Sequence, residues 1–374
     1  MQTYAVYLHP KSSFITWPAS DTLFGAFCWA IFHLYGKKRL KKTLSAFIEK
    51  SPPFILSSSF PYLFNSDRKI HFFPKPLLPD PDYEERKKLI EKQRKIGKII
   101  TQDEVLNFNL AFLKISEKLK DFKKIRYVSE NIFWEMIEGN FGHSKICFRL
   151  KKRGSIKTDI EKYGTCLITT EERKQIDPEG ELIDKYIFKE VDIQKNQIDR
   201  VSLSTGEGFL FFRKEIFFHT CCGLWFLIKT KDIEFVYSLL RFLTDTGISG
   251  ERTAGKGHFK FQIEKYELPA VQNPNVFVTL SRYVPTKNEI DLSLSLWNIL
   301  NLRAKLDTLY PYGNRGIFKK LIRCFEEGSL FTFLSKKESY GRLVAIGKIG
   351  QDNTFYDGIA FPIFANIKVG KKCG

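Results

Sequence analysis

The sequence predicts an α+β fold, and three of its features carry that prediction. Runs of alternating apolar and polar residues, the period of a half-buried strand, are interleaved with runs at the spacing of an amphipathic helix. A β-α-β order recurs in both halves of the chain, although the halves show no sequence repeat. Over 374 residues, a hydrophobic content of 43% is ample for two or three domains with cores of their own.

TYAVYLHP, starting at Thr3, alternates and reads as the first strand. In SDTLFGAFCWAIFHLYG, Ser20 can cap a helix, Asp21 suits its positive end and Gly36 stops it. That helix is apolar nearly all round and is expected in the core. LKKTLSAFIEK reads as a second amphipathic helix, and PPFILSSSFPY and IHFFPKPLLP as strands whose prolines suit edges and turns. From Tyr83 to about Lys124 charge is dense and the sparse apolar residues are helically spaced, which predicts a solvated helical insertion. A basic face there suits RNA contact no better than plain solvation.

Between Gly142 and Gln197, SKICFRL, GTCLITT and KYIFKEVDI read as short strands joined by charged turns, a projecting hairpin region that includes Arg149, Lys151, Lys152 and Arg153. GFLFFRKEIFF and GLWFLIKT follow as strands. In DIEFVYSLLRFLTDTG, Val236, Leu239, Leu240 and Leu243 share one helical face, with Asp232 as N-cap and Gly247 as terminator. HFKFQIEKYEL alternates as a strand, and the remainder adds strands and the turn-rich segments PYGNRG and EEGSLF. Two ferredoxin-like (RRM-type) domains, residues 1–200 with the insertion and 201–374, account for this alternation.

Lys and Arg outnumber Asp and Glu by 60 to 42, a formal charge of +18 that points to a polyanionic partner, with a merely soluble basic protein as the alternative. Most of the 35 phenylalanines are expected in the core, because they alternate within runs such as FLFFRKEIFF, while a few could stack on bases. The seven cysteines include no C-x-x-C pair and no zinc spacing, so they read as reduced, mostly buried thiols, and no metal or cofactor is expected. MQTYAVYLHP lacks a basic n-region, and LFGAFCWAIFHLY, interrupted by His33, is too short to span a bilayer. A cytoplasmic protein without membrane contact is expected.

GISGERTAGKGHFKF, from Gly247 to Phe261, matches the first seven positions of the phosphate-cradling pattern G-x-x-x-x-G-K-[ST]. Gly257 stands where that pattern needs a hydroxyl, and the flanks run helix, loop, strand instead of strand, loop, helix. Magnesium nucleotide is therefore not the expected ligand, although backbone amides in such a loop can hold a phosphate. None of the six histidines belongs to H-E-x-x-H or to a Cys/His array. His33 reads as a core residue, His258 as a phosphate contact, and His9 as either. With no G-x-S-x-G and no Asp pair in a nuclease pattern, the residues argue for binding over catalysis.

SDTLFGAF, PPFILSSSFPY, FFPKPL, NQIDRVSLSTGEGFLFFRKEIFF, the GERTAGKGHF loop, EEGSLF and YDGIAFPI together resemble the RAMP superfamily of CRISPR proteins. Their combination and order resemble, within it, the fourth-subunit family of type III-A (Csm) effector complexes, over nearly the whole chain. The resemblance implies a non-catalytic subunit that caps the foot of the complex and grips the repeat-derived 5′ handle of crRNA. It also implies contact with the large polymerase-like subunit and the first backbone subunit. Gly250, Arg252, Thr253, Gly255, Lys256 and Gly257 would form the grip, with His258 beside them. Ser20, Asp21 and Thr22, together with Asn196, Arg200, Ser204, Thr205 and Gly206, would line the same channel. The region of Arg149, Lys151, Lys152 and Arg153 would be a β-hairpin thumb wedging the RNA where handle meets guide. The insertion matches only loosely. The competing readings are a metal-independent CRISPR repeat endoribonuclease, whose glycine loop lies close to the C-terminus while more than a hundred residues follow it here, and the equivalent type III-B subunit. A generic RNA-binding module is the plainest reading.

Overall fold

A computed structural model describes residues 1–65, 68–96, 104–149, 160–178, 186–196, 198, 201–202, 210–303, 320–349 and 352–367. The first strand, β1 (Gln2–Pro10), is buried from Ala5 to Leu8 because it is paired on both sides. It leads into α1 (Ser20–Ile48), whose two arms, read from the sequence as separate helices, meet at a kink where Gly36 has φ 78° and ψ 173°. The N-cap position is Ala19, not Ser20, which lies buried in the first turn. β2 (Phe54–Leu56), β3 (Phe60–Asn65) and β4 (Arg68–Pro74) follow, then the insertion helices α2 (Tyr83–Ile96) and α3 (Glu104–Lys123).

Next come β5 (Tyr127–Ser129), α4 (Glu130–Ile137) and α5 (His143–Arg149), then β6 (Ile160–Tyr163), β7 (Cys166–Thr169) and α6 (Thr170–Ile176). A long antiparallel ribbon pairs β8 (Phe188–Asn196) with β9 (Leu210–Phe218). β10 (Cys222–Thr230) is buried almost throughout, the burial its continuous apolar run calls for in a central strand. α7 (Ile233–Thr246) then returns the chain to β11 (Phe259–Lys265). Asp232 caps α7 by accepting a hydrogen bond from the Phe235 N–H at 2.9 Å, as its sequence calls for.

The main sheet has the order β11-β1-β10-β3-β4-β5-β7-β6, with β2 also on β10. Within it, β11-β1-β10-β3, with α1 and α7 packed on each other as the crossovers, has the strand order of one βαββαβ ferredoxin-like unit. This corrects the division expected near residue 200. The β10-α7-β11 segment does not found a second domain; it completes the first, because β1 needs a hydrogen-bonded neighbour on each edge and finds both there.

The C-terminal part consists of β12 (Val276–Thr279), β13 (Ile290–Leu296), β14 (Ile299–Leu302), β15 (Ile322–Phe325), β16 (Leu330–Phe333), β17 (Tyr340–Ile349), β18 (Asp352–Ala360) and β19 (Pro362–Ala365). Among the described residues no helix connects these strands along the chain, so the described residues contain one ferredoxin-like unit. They form a sheet of order β13-β16-β12-β19 and two hairpins, β14-β15 and β17-β18. Lys37 and Lys41 of α1 clamp Asp352 at 2.5 and 2.8 Å, which ties the β17-β18 hairpin to the first unit.

Two further expectations change. SKICFR is helical, within α5, because its adjacent Ile146 and Cys147 serve two different cores: Ile146 the main one, Cys147 a small one with Leu89, Ile90, Ala111 and Ile115 of the insertion. The insertion is thus helical as expected but owns a core. His33 is exposed, not in the core, and is stacked between Trp29 and Phe242 at 5.7 and 5.5 Å. No described helix is long and apolar enough to cross a membrane.

Candidate nucleic-acid interface

The glycine loop joins the end of α7 to β11, beside the chain leaving β1. Ser249, Glu251, Gly255 and Gly257 all have positive φ, and Arg252–Ala254 forms a single 3-10 turn. Gly257 cannot be replaced without movement: a Cβ there would stand 1.8 Å from the Ile248 carbonyl oxygen. Its N–H donates to the Ser13 carbonyl at 2.9 Å and its own carbonyl accepts from the Ile248 N–H at 3.0 Å. Gly255 has the same sign of φ, 77°, but nothing within 4 Å of a Cβ, and with Thr253 and Ala254 it forms an exposed tip. The amides of Ala254, Gly255 and Lys256 are spent inside the turn. Those of Gly250 and Glu251 donate to no backbone carbonyl among the described residues, which leaves them, with the exposed Thr253 hydroxyl, as anion donors.

Lys256 does not extend into solvent as the sequence suggested. Its ammonium donates to Glu215 Oε2 at 2.6 Å and to Ser13 Oγ at 2.9 Å. Lys195 binds Glu251 Oε2 at 2.7 Å and approaches Glu215 Oε1 at 3.2 Å, and Arg213 pairs with Glu251. Glu215 is only 1% exposed. Burial alone would raise its carboxyl pKa, but the hydrogen bonds from Lys256, Ser13 and Lys195 outweigh it and hold the group down at about 2. The cluster fastens the loop to the β8-β9 ribbon. Lys256 is therefore charge-compensated by Glu215 and does not stand free in solvent. Arg252 and His258 are half-buried, and the His258 N–H donates to Ser12 Oγ at 3.0 Å.

The ribbon departs from the expectation only for the run FLFFRKEIFF, whose phenylalanines are expected in the core. Phe211 and Phe212 are 41% and 65% exposed, because β9 pairs only with β8 beyond its base and no layer lies behind it. Leu210 and Phe217 are exposed too, while the base packs on Trp17, whose ring lies 4.9 Å from Phe188 and 5.9 Å from Phe218. Asn196 closes β8 at the exposed end, opposite Leu210. Arg200, Ser204, Thr205 and Gly206 lie outside the described residues, as do Lys151, Lys152 and Arg153; Arg149 ends α5, where a hairpin was expected.

The SDT segment lies elsewhere. Ser20 is fully buried: its N–H donates to Ser58 Oγ at 2.9 Å, and its hydroxyl accepts from the Arg282 N–H at 3.1 Å. Arg282 binds Asp21 Oδ1 at 2.6 Å, and Ser58 donates to Glu327. Burial pushes the Glu327 carboxyl pKa up, with Arg282 acting against it. Four distant segments thus meet in a buried joint between the ferredoxin-like unit and the C-terminal strands. Ser20 and Asp21 belong to that joint and line no open channel; Thr22 beside them is half-buried.

Of the histidines near the loop, His9 bonds the Tyr62 hydroxyl through Nδ1 at 2.9 Å. Burial, Lys69 and Lys260 all draw its pKa below the ordinary imidazole value. Among the described residues no three His, Cys, Asp or Glu side chains group as metal ligands.

No family model matches the chain. In sequence it is similar to the CRISPR system protein Csm4 of Thermococcus onnurineus (strain NA1), 26% identical over 299 residues, which cover 79% of this chain and 78% of that protein. In fold it is similar to a chain of the Csm3–Csm4 subcomplex of the type III-A CRISPR-Cas interference complex, with TM-score 0.58, 18% identity, and 98% and 100% of the two chains covered. A chain of the Csm1–Csm4 cassette in complex with cA4 is similar too, with TM-score 0.53, 19% identity, and 99% and 100% covered. In both sequence and fold, the chain is thus Csm4-like.

Proposed function

We propose that the chain is the subunit of a type III-A effector complex that grips the repeat-derived 5′ handle of crRNA and performs no chemistry on it. The observation that carries this reading is the fastening of the loop to the ribbon. Through Glu215, Glu251, Lys195, Arg213 and Lys256, the exposed tip at Thr253 to Gly255 is fastened to the ribbon face that carries the exposed ring of Phe211, while Phe212 stands on the opposite face. Hydroxyl and amide donors hold phosphates, and exposed aromatic rings stack on unpaired bases, the two contacts by which single-stranded RNA is held. The ribbon, in place of the region around Lys151, takes the part of the thumb.

The assemblies in which the similar folds occur, Csm3–Csm4 and Csm1–Csm4, support a backbone subunit and a large subunit as this chain's partners. Purification of the chain from cells that carry a CRISPR array, with sequencing of the RNA that accompanies it, tests the reading. RNAs sharing one repeat-derived 5′ end are expected. RNAs with scattered 5′ ends would contradict it.

A further inference from the structure

At the end of β1 remote from the glycine loop, a cleft of about 410 Å³ opens between the ferredoxin-like unit and the C-terminal strands. Ile55, Leu268 and Phe364 give it apolar walls, and Lys229, Lys336 and Lys337 stand around it. Since β1 runs from Gln2 to Pro10, the length of that strand, roughly 27 Å, separates cleft from loop.

Packing alone does not account for Lys229. It lies on the central strand β10, half-buried, with its ammonium 4.7 Å from the centre of the Phe361 ring and no ion pair among the described residues. Burial pulls its pKa below the ordinary lysine value, and Glu338 alone acts against this. A methionine would fill the same space without the cost of desolvating a charge. Lys336 stands 4.8 Å over the ring of Phe364. The segment carrying Lys336 and Lys337 is pinned by buried Tyr340, whose hydroxyl donates to the Ser335 carbonyl and accepts from the Lys337 N–H, each at 2.9 Å. The backbone that carries the exposed Lys336 and Lys337 is therefore fixed, and the three lysines outnumber the one carboxylate in the cleft, Glu338.

We infer that this cleft binds a phosphate group, held by Lys229, Lys336 and Lys337, with its ribose or base against the apolar wall of Ile55, Leu268 and Phe364. Three ammonium groups around one opening suit the several oxygens of a phosphate, and the volume is that of a small-ligand site. The phosphate can belong to an RNA strand or to a free nucleotide.

Acetylation of the full chain, read at each lysine by mass spectrometry, tests this. The probes are a single-stranded RNA oligonucleotide, ATP, inorganic phosphate and polyglutamate, with Lys37 and Lys41 as controls. Protection of all three cleft lysines at least three-fold beyond the controls is expected with RNA or ATP. Protection by RNA alone assigns a strand phosphate, and protection by ATP assigns a free nucleotide. In Lys336→Ala/Lys337→Ala, protection of Lys229 should be lost. No protection, protection no greater than at the controls, or protection by polyglutamate alone would overturn the inference. Lys229→Met, which keeps the apolar stem, should retain the wild-type melting temperature while binding of the protecting probe weakens by five-fold or more; unchanged binding would equally overturn it.

Discussion

Replacing Gly257 and Gly255 by alanine, one at a time, separates two roles within one loop. Both residues have positive φ, 73° and 77°, so alanine meets the same intrinsic penalty at each, about 1–2 kcal/mol. At Gly255 that is nearly the whole effect, and a stiffer unfolded chain returns part of it, leaving about 1 kcal/mol. At Gly257 the new Cβ falls 1.8 Å from the Ile248 carbonyl oxygen, so the backbone must move apart. That movement breaks the bonds from Gly257 N–H to Ser13 and from Ile248 N–H to Gly257, worth about 1 kcal/mol each. The expected loss is about 3–4 kcal/mol. Urea unfolding followed by tryptophan fluorescence measures both variants against wild type. Equal losses, or less than about 1 kcal/mol at Gly257, would refute the assignment of Gly257 to architecture and Gly255 to the open tip.

Lys256→Ala should cost about 1–2 kcal/mol of stability by leaving Glu215 under-paired, while the salt dependence of RNA binding stays at the wild-type value. Loss of about 0.7 log unit of slope, the signature of one phosphate contact, would show that Lys256 touches RNA after all. Because the folded pKa of Glu215, about 2, lies below its ordinary 4.5, its contribution is complete above about pH 4.5 and disappears as pH falls toward 2. Acid titration of stability should therefore be steeper for wild type than for Glu215→Gln in that window, and parallel curves would argue against the cluster. Arg282→Met should lower stability by about 3 kcal/mol and raise amide exchange in β15 and β16 first, since Asp21 and Glu327 lose their shared cation. Purified protein incubated with its repeat RNA, with or without magnesium or manganese, should leave it intact, as should His9→Ala and His258→Ala; one specific cut abolished by either substitution would establish an endoribonuclease.

The α+β class, the helix capped by Asp232 and the helix, loop, strand order around the glycines were legible because each rests on local periodicity and capping. The pairing of β1 with both β10 and β11 was not, since strand partnership across more than two hundred residues leaves no local trace. The same limit hid the partner of Lys256. A lysine between glycines resembles a phosphate ligand until Glu215, forty-one positions away, is seen beside it. Phe211 and Phe212 failed in the opposite direction: alternation marks a strand, yet only the number of its neighbours decides whether both faces are covered. SDT, SSS and EEGSLF, recognised as a set, share a reason that only the fold shows, the joint around Arg282.

The central claim, that loop tip and ribbon form one grip on the crRNA handle, is tested most directly by site-specific cross-linking. A photoreactive residue at Thr253 and another at Phe211 would be placed, separately, in the assembled complex, and the cross-linked nucleotides mapped by sequencing. The account predicts that both probes mark the repeat-derived 5′ segment, with Phe211 at or next to its junction with the guide. Cross-links scattered along the guide, or confined to protein, would contradict it.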